Sequence, residues 1–210
     1  MCHAVGMTQP SNAPGSILAP EKWAALLKAH ADFQAKASPT YDEVLTEVAG
    51  RIRESRSIGK SDIGALVFWK RLRADTPWVT DIMSLPEHHV RATTAKAVAA
   101  VNDHTVRTPQ AASNGRRALS DLPGFSTGDA LASALLFASA PHRMAVYDRR
   151  AQTGLQELDL SLSAKPGRYS RYMELVDALC TTARKNNHDW IPRDVDIALY
   201  QLGDPQRKNL

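Results

Sequence analysis

Apolar residues recur at helical spacing along most of the chain. Trp23, Leu26, Leu27 and His30 fall on one face of a segment opened by Pro20 and Glu21. Val44, Leu45, Val48, Ala49 and Ile52 mark a second helix beginning near Tyr41. Ser61 has the character of an N-cap for a third, with Ile63, Leu66, Val67, Lys70 and Leu72 following. Pro86-Glu87 opens a further helix through the alanine-rich run to about Val101. Short helices are predicted at Arg116–Leu122 and Arg149–Leu158, and longer ones at Thr127–Ala140 and Arg168–Lys185. The last runs from Arg193 to Leu202 and stops at Gly203. Alternating Val, Ile and Thr runs are almost absent, so strands are not expected. The pattern predicts an all-α chain of about nine or ten helices.

Composition narrows the setting. With 210 residues and 43% hydrophobic positions the chain can bury a sizeable core, which excludes disorder throughout. Pro10, Pro14, Gly15 and Pro20 lie among Ser, Asn and Gln, so residues 1–20 read as a flexible arm ahead of one domain spanning 21–210. The net charge of +4 is mild and evenly split between the two halves. Any contact with nucleic acid must therefore come from local geometry, not from a basic tail. Two cysteines, Cys2 and Cys180, exclude a disulfide framework and a cysteine-rich metal or iron–sulfur site. They fit a reducing compartment. No run approaches the roughly 18 apolar residues that span a bilayer, and the first residues lack the form of a secretory signal. A cytoplasmic monomer without a membrane partner is the expectation.

One segment carries chemistry. Ala118 to Ala151 reads ALSDLPGFSTGDALASALLFASAPHRMAVYDRRA. Leu122-Pro123-Gly124-Phe125-Ser126 forms a tight turn in which Gly124 supplies positive φ. Ser126 or Thr127 is placed to cap the following helix, whose Ala130, Ala132, Ser133, Ala134 and Ala138 suit close packing. The first N–H groups of such a helix are unpaired and carry the positive end of its dipole, so they suit a phosphate. The bland alternative is an ordinary αα-hairpin with a Pro-Gly turn.

The same segment, about residues 115–140 with the loop that follows, resembles the signature of the helix–hairpin–helix DNA glycosylases. That superfamily includes endonuclease III and the adenine-mismatch, alkyl-base and 8-oxoguanine glycosylases. Their pattern is Leu-Pro-Gly-hydrophobic-Gly, a helix, a loop, and a hydrophobic residue before an essential Asp. Here it becomes Leu122-Pro123-Gly124-Phe125-Ser126, the helix to Ala140, and Val146-Tyr147-Asp148, with Asp148 lying 24 residues after Gly124. The resemblance implies a two-lobed helical fold with a cleft between the lobes, double-stranded DNA carrying a damaged or modified base as partner, and Asp148 as the catalytic carboxylate. It implies phosphate binding through the N–H groups of Gly124, Ser126 and Gly128. It also implies a monovalent cation, K+ or Na+, on the carbonyls of Ser120, Leu122 and Phe125. Two positions depart from the pattern. Ser126 replaces the second hairpin glycine. Gly128 stands where strand-cleaving members carry a lysine, so the resemblance implies base excision by water without lyase activity, and the sequence nominates no other lysine. The iron–sulfur cysteines of some relatives are missing.

The chemistry makes Asp148 the central candidate. A base inside a duplex must be flipped out before it is reached, and breaking its glycosidic bond develops positive charge on the sugar. A carboxylate on that face stabilises the charge and orients water. An isolated Asp is more often a helix cap. Tyr147 is a candidate wall of the base pocket, with a core role as the alternative. Trp69, Trp78 and Trp190 are stacking candidates that suit packing equally well. His88-His89 point about 100° apart on a helix and read as surface. Arg116, Arg117, Arg149 and Arg150 are candidate phosphate partners. The stretch Trp190–Tyr200 reads as structural, with Asp194 and Asp196 near a helix start. The competing readings are a non-catalytic DNA-binding helix–hairpin–helix protein and a protein-interaction module. The target base, and a role in repair or in defence against phage DNA, are not encoded in any motif.

Overall fold

The stretch Ala130–Ser139 is apolar or small on every side, and a helix of that kind must be covered on every side. A computed structural model describes residues 17–205 and places it in that way: Leu131 through Ala138 are all buried. Around it the described residues form ten α-helices and no strand. In chain order they are α1 (Pro20–Lys36), α2 (Glu43–Ser55), α3 (Lys60–Trp69), α4 (Pro77–Ser84) and α5 (Glu87–Val101). The second five are α6 (Thr108–Leu119), α7 (Ala130–Ser139), α8 (Arg149–Glu157), α9 (Arg168–Lys185) and α10 (Pro192–Leu202). No helix among the described residues is long and apolar enough to cross a membrane.

Helices α2, α3, α5 and α6 pack on α7. The chain's two ends meet separately, with α10 packed on α1, α8 and α9, while α9 also leans on α6. Helix α8 crosses α10 with backbone close to backbone. A Cβ added at Gly154 would sit 2.2 Å from the carbonyl oxygen of Leu199, and one at Gly203 would sit 2.0 Å from that of Arg150. Gly154→Ala improves intrinsic helix propensity by about 1 kcal/mol, but here backbone must move apart. The variant is expected to lose about 1–3 kcal/mol net, read as a lower urea midpoint.

The observed elements correct several sequence expectations. The third helix is capped at Gly59, not Ser61, because the Asp62 carboxylate reaches back to the Gly59 N–H at 2.9 Å. Helix α6 starts at Thr108, with Pro109 in its first turn, so Arg116 belongs to its closing turn and not to its start. Helix α7 starts at Ala130 behind Asp129, and neither Ser126 nor Thr127 caps it. Gly128 at φ +75 breaks the helical path just before that point. Helix α4 was not anticipated. Of the expected arm, residues 1–16 and Cys2 lie outside the described residues, while Leu18 is buried in the core.

Candidate functional site

The turn before α7 takes the conformation its sequence calls for. Gly124 adopts φ +82, and Phe125 N–H donates to the Leu122 carbonyl at 3.1 Å. A side chain at Gly124 would also strike the indole of Trp78, its Cβ lying 2.6 Å from that ring. Trp78 on α4 covers the turn and meets Phe125 edge-on, so it is packing and not a stacking surface. Among the described residues no acceptor takes the N–H groups of Gly124, Ser126 and Gly128, and all three residues are exposed.

Arg116 binds the rest of the loop. Its Nη1 donates to the Phe125 carbonyl at 2.7 Å, its Nη2 to the Gly128 carbonyl at 2.9 Å, and its Nε to the Asp129 carboxylate at 3.0 Å. Arg168 takes the other Asp129 oxygen at 2.8 Å. Arg116, Arg117, Lys165 and Arg168 border a groove of about 600 Å³ beside Ser126 and Gly128.

Beyond α7 the residues from Met144 to Asp148 lie outside any helix, and Met144 to Tyr147 are buried in the core. Buried backbone outside a helix needs partners for its N–H and C=O groups. Here side chains supply them. Tyr169 Oη donates to the Ala145 carbonyl at 2.9 Å and Tyr172 Oη to the Val146 carbonyl at 3.0 Å. Val146 N–H donates to Asp196 Oδ2 at 2.9 Å, and Tyr147 N–H to Ser133 Oγ at 2.9 Å. The segment that delivers Asp148 is thereby held from α7, α9 and α10 at once. Burial raises the phenol pKa of both Tyr169 and Tyr172, so they are donors throughout the ordinary pH range.

Asp148 itself closes the N-terminus of α8: its Oδ1 accepts the Ala151 N–H at 2.9 Å. Its Oδ2 accepts from Lys70 Nζ at 3.2 Å. The Lys70 side chain is 8% exposed and that of Asp148 25%. Both line a cavity of about 80 Å³. Its aromatic wall is Phe33, Tyr41, Trp69 and Tyr200; Arg71, Arg193 and Asp196 supply the remaining charge. The four aromatics and three charges come from α1, the α1–α2 loop, the end of α3 and the loop after it, and α10.

Arg193 ties this wall together. It donates to Asp196 at 2.7 Å and to Asp42 at 2.9 Å, and its guanidinium lies over the rings of Phe137 and Trp69. Burial pushes the Asp196 carboxyl up to about 6, against the pull of Arg193 and of the Val146 N–H. Burial works against the Arg193 charge too, yet its two carboxylates raise its pKa overall.

No family model, curated protein or solved structure matches the chain. The site therefore rests on its own geometry.

The structure brings together some of the residues the sequence singled out and separates others. Tyr147 does not line the cavity at Asp148. It is buried, its hydroxyl donates to Gln152 at 2.6 Å, and Arg168 covers its ring. Trp69 is in the cavity wall, whereas Trp190 packs with Trp23, His30 and His188. His88 and His89 are exposed, and no group of three or more metal-ligating side chains occurs among the described residues. Arg150 lies over Tyr200 and pairs with Asp204. Sequence reasoning missed Lys70, Arg193 and Asp196. Arg193 and Asp196 lie three apart on one helix face, a spacing at which opposite charges meet. That pairing was the available signal.

Proposed function

We propose that the protein is a DNA glycosylase that flips a damaged or modified base out of duplex DNA and hydrolyses its glycosidic bond. One observation carries the reading: the carboxylate placed 24 residues after the Pro-Gly turn lines a solvent-connected, aromatic-walled cavity. In this reading α2–α7 form one lobe and α1 with α8–α10 the other, and Asp148 works in the cleft between them. The unpaired N–H groups of Gly124, Ser126 and Gly128 hold a backbone phosphate, and the basic groove beside them follows the strand. At about 80 Å³ the cavity takes water alone. Admission of a base therefore requires side chains of the cavity wall to move aside. Asp148 then faces the sugar, stabilises the positive charge that develops as the bond breaks, and orients the attacking water.

The test is excision from labelled duplexes carrying uracil, 8-oxoguanine, alkylated purines, mismatched adenine or modified cytosines, with wild type beside Asp148→Asn. Cleavage that wild type produces and the variant does not supports the reading. Salt-sensitive binding to every duplex with no excision overturns it in favour of a non-catalytic DNA-binding protein. The fully engaged Asp148, capping α8 and paired with Lys70, is the observation that favours this second reading.

The residues at the hairpin do not fit a cation on the Phe125 carbonyl. That oxygen already accepts from Arg116, and the Leu122 carbonyl closes the turn. The guanidinium brings a fixed positive charge to the place where a cation would otherwise sit. DNA affinity is expected to fall with total ionic strength and to be indifferent to the choice among K+, Na+ and tetramethylammonium at equal strength. Anisotropy titrations in the three chlorides check this; a specific requirement for K+ contradicts it.

A further inference from the structure

A third concave site lies at the end of α7 away from the hairpin, where α2, α5 and α7 all terminate. Its volume is about 290 Å³, and it shares no lining residue with the cavity at Asp148 or with the groove beside the hairpin. An apolar cavity of roughly 150 Å³ already holds benzene, so this one has room for a larger ring system. Its walls divide by chemistry. Ile52, Val98, Ala138 and Ala140 are buried and form an apolar floor, with Ala49 half-buried beside them. Arg53, Arg56, His104 and His142 are exposed and line its rim.

No Asp or Glu lines this cavity. Among the described residues, none of the four basic side chains donates to a protein acceptor or forms an ion pair. The acid next to His104, Asp103, accepts from the N–H and the hydroxyl of Thr105 at 2.9 and 2.6 Å. Basic residues near a helix C-terminus ordinarily serve its dipole and its last carbonyls. Here other groups meet those carbonyls. Arg143 donates to the carbonyls of Val101, Asp103 and Val106, and Asn102 to those of Val98 and Ser139. The Arg56 N–H closes α2 on the Ile52 carbonyl. The side chains of Arg53 and Arg56 are surplus to that task.

We propose that this cavity binds a small organic anion, its apolar body on the floor and its carboxylate or phosphate held at the rim by Arg53 and Arg56. A guanidinium offers such a group two parallel N–H donors, and the imidazoles of His104 and His142 add donors of their own. Exposed charges alone hold an anion weakly. Burial of the apolar body supplies the rest of the affinity. None of these side chains takes part in the glycosylase reading, so the two stand or fall separately.

The experiment titrates 1-naphthyl phosphate into the full chain and follows amide 1H–15N shifts. Two further probes divide the ligand: 1-naphthol has the body without the charge, and inorganic phosphate the charge without the body. Naphthyl phosphate is expected to saturate and to move the amides of Ala49, Ile52, Ala138 and Ala140. Each half-probe is expected to bind at least about tenfold more weakly. The double variant Arg53→Gln/Arg56→Gln is expected to weaken naphthyl phosphate at least about tenfold and to leave 1-naphthol unchanged. Both arginines are exposed, so the fold is retained. Ala49→Leu, which fills the floor and keeps the charge, is expected to weaken naphthyl phosphate as well. Shifts confined to the hairpin groove at Arg116, Arg117 and Arg168, or no saturable shift in the millimolar range, overturn the proposal. Equal affinity for naphthyl phosphate and inorganic phosphate overturns it too, as does full affinity in the double variant.

Discussion

Asp148→Asn is expected to slow base excision by about 10²–10³-fold or more, the range seen when one preorganised electrostatic group is removed, with DNA affinity close to wild type. The substitution separates two roles that the structure gives one side chain. Asp148 caps α8 through the Ala151 N–H and presents a negative charge to the cavity. Asn caps a helix as well as Asp does, so the start of α8 survives. What is lost is the charge that, in the glycosylase reading, faces the sugar, and with it the partner of Lys70. Asp148→Ala removes the cap as well, which adds a stability loss of about 1 kcal/mol. Single-turnover excision and anisotropy on the same duplex separate chemistry from binding. Equal single-turnover rates for wild type and Asp148→Asn would leave Asp148 a helix cap and nothing more.

The parts of the fold that the sequence revealed are those governed by neighbours in the chain. Helices α8, α9 and α10 begin and end within a residue or two of where their apolar period and their Pro and Gly residues put them. The turn at Gly124 was legible for the same reason, since positive φ is a local demand. Helix α4 was not, because its eight residues span barely two turns and show too little period. Its purpose, Trp78 over Gly124, is a tertiary contact. The start of α7 was misplaced because Arg116, 12 residues before Gly128, holds the loop in a form that no local cap would choose.

The site divides along the same line. Asp148 and the hairpin donors lie in one contiguous segment and were found there. Lys70 had helical spacing with Leu66 and Val67 and read as one more position of an amphipathic face. Nothing in its own segment announces a carboxylate 78 residues away. Asp194 and Asp196 looked alike as acids at a helix start. Asp194 keeps that role, accepting the Ile191 N–H at 2.9 Å, whereas Asp196 turns inward to the Val146 N–H. Only the tertiary fold distinguishes them.

That difference gives the largest expected effect on stability. Arg193→Met is expected to cost about 3–5 kcal/mol, the range for removing one partner of a buried ion pair. At about 2–4 °C per kcal/mol for a chain of this size, Tm falls on the order of 10 °C. Methionine fills most of the volume, so the loss is chiefly electrostatic. Asp196, its side chain 4% exposed, keeps the Val146 N–H and loses its cation; Asp42 loses the same partner. Lysine at 193 is a point charge without the planar fork that serves both carboxylates, so Arg193→Lys restores only part of the loss. The pH dependence fixes the cause. In wild type the Asp196 carboxyl is raised to about 6, above its value of 3.8 in an unfolded chain. The folded state therefore binds a proton that the unfolded state does not, and this group favours folding more as pH falls from about 6 toward 3.8. Without Arg193 the carboxyl is raised further, and the same gain begins at higher pH. The stability gap between wild type and Arg193→Met is accordingly widest at neutral pH and narrows on acidification. Adding Asp196→Asn to Arg193→Met should flatten that dependence and recover part of the neutral-pH loss. Urea denaturation of the three variants at pH 5 and pH 7.5 measures it. A gap of equal size at both values would mean that packing against Trp69 and Phe137, not the buried charge, is what Arg193 contributes.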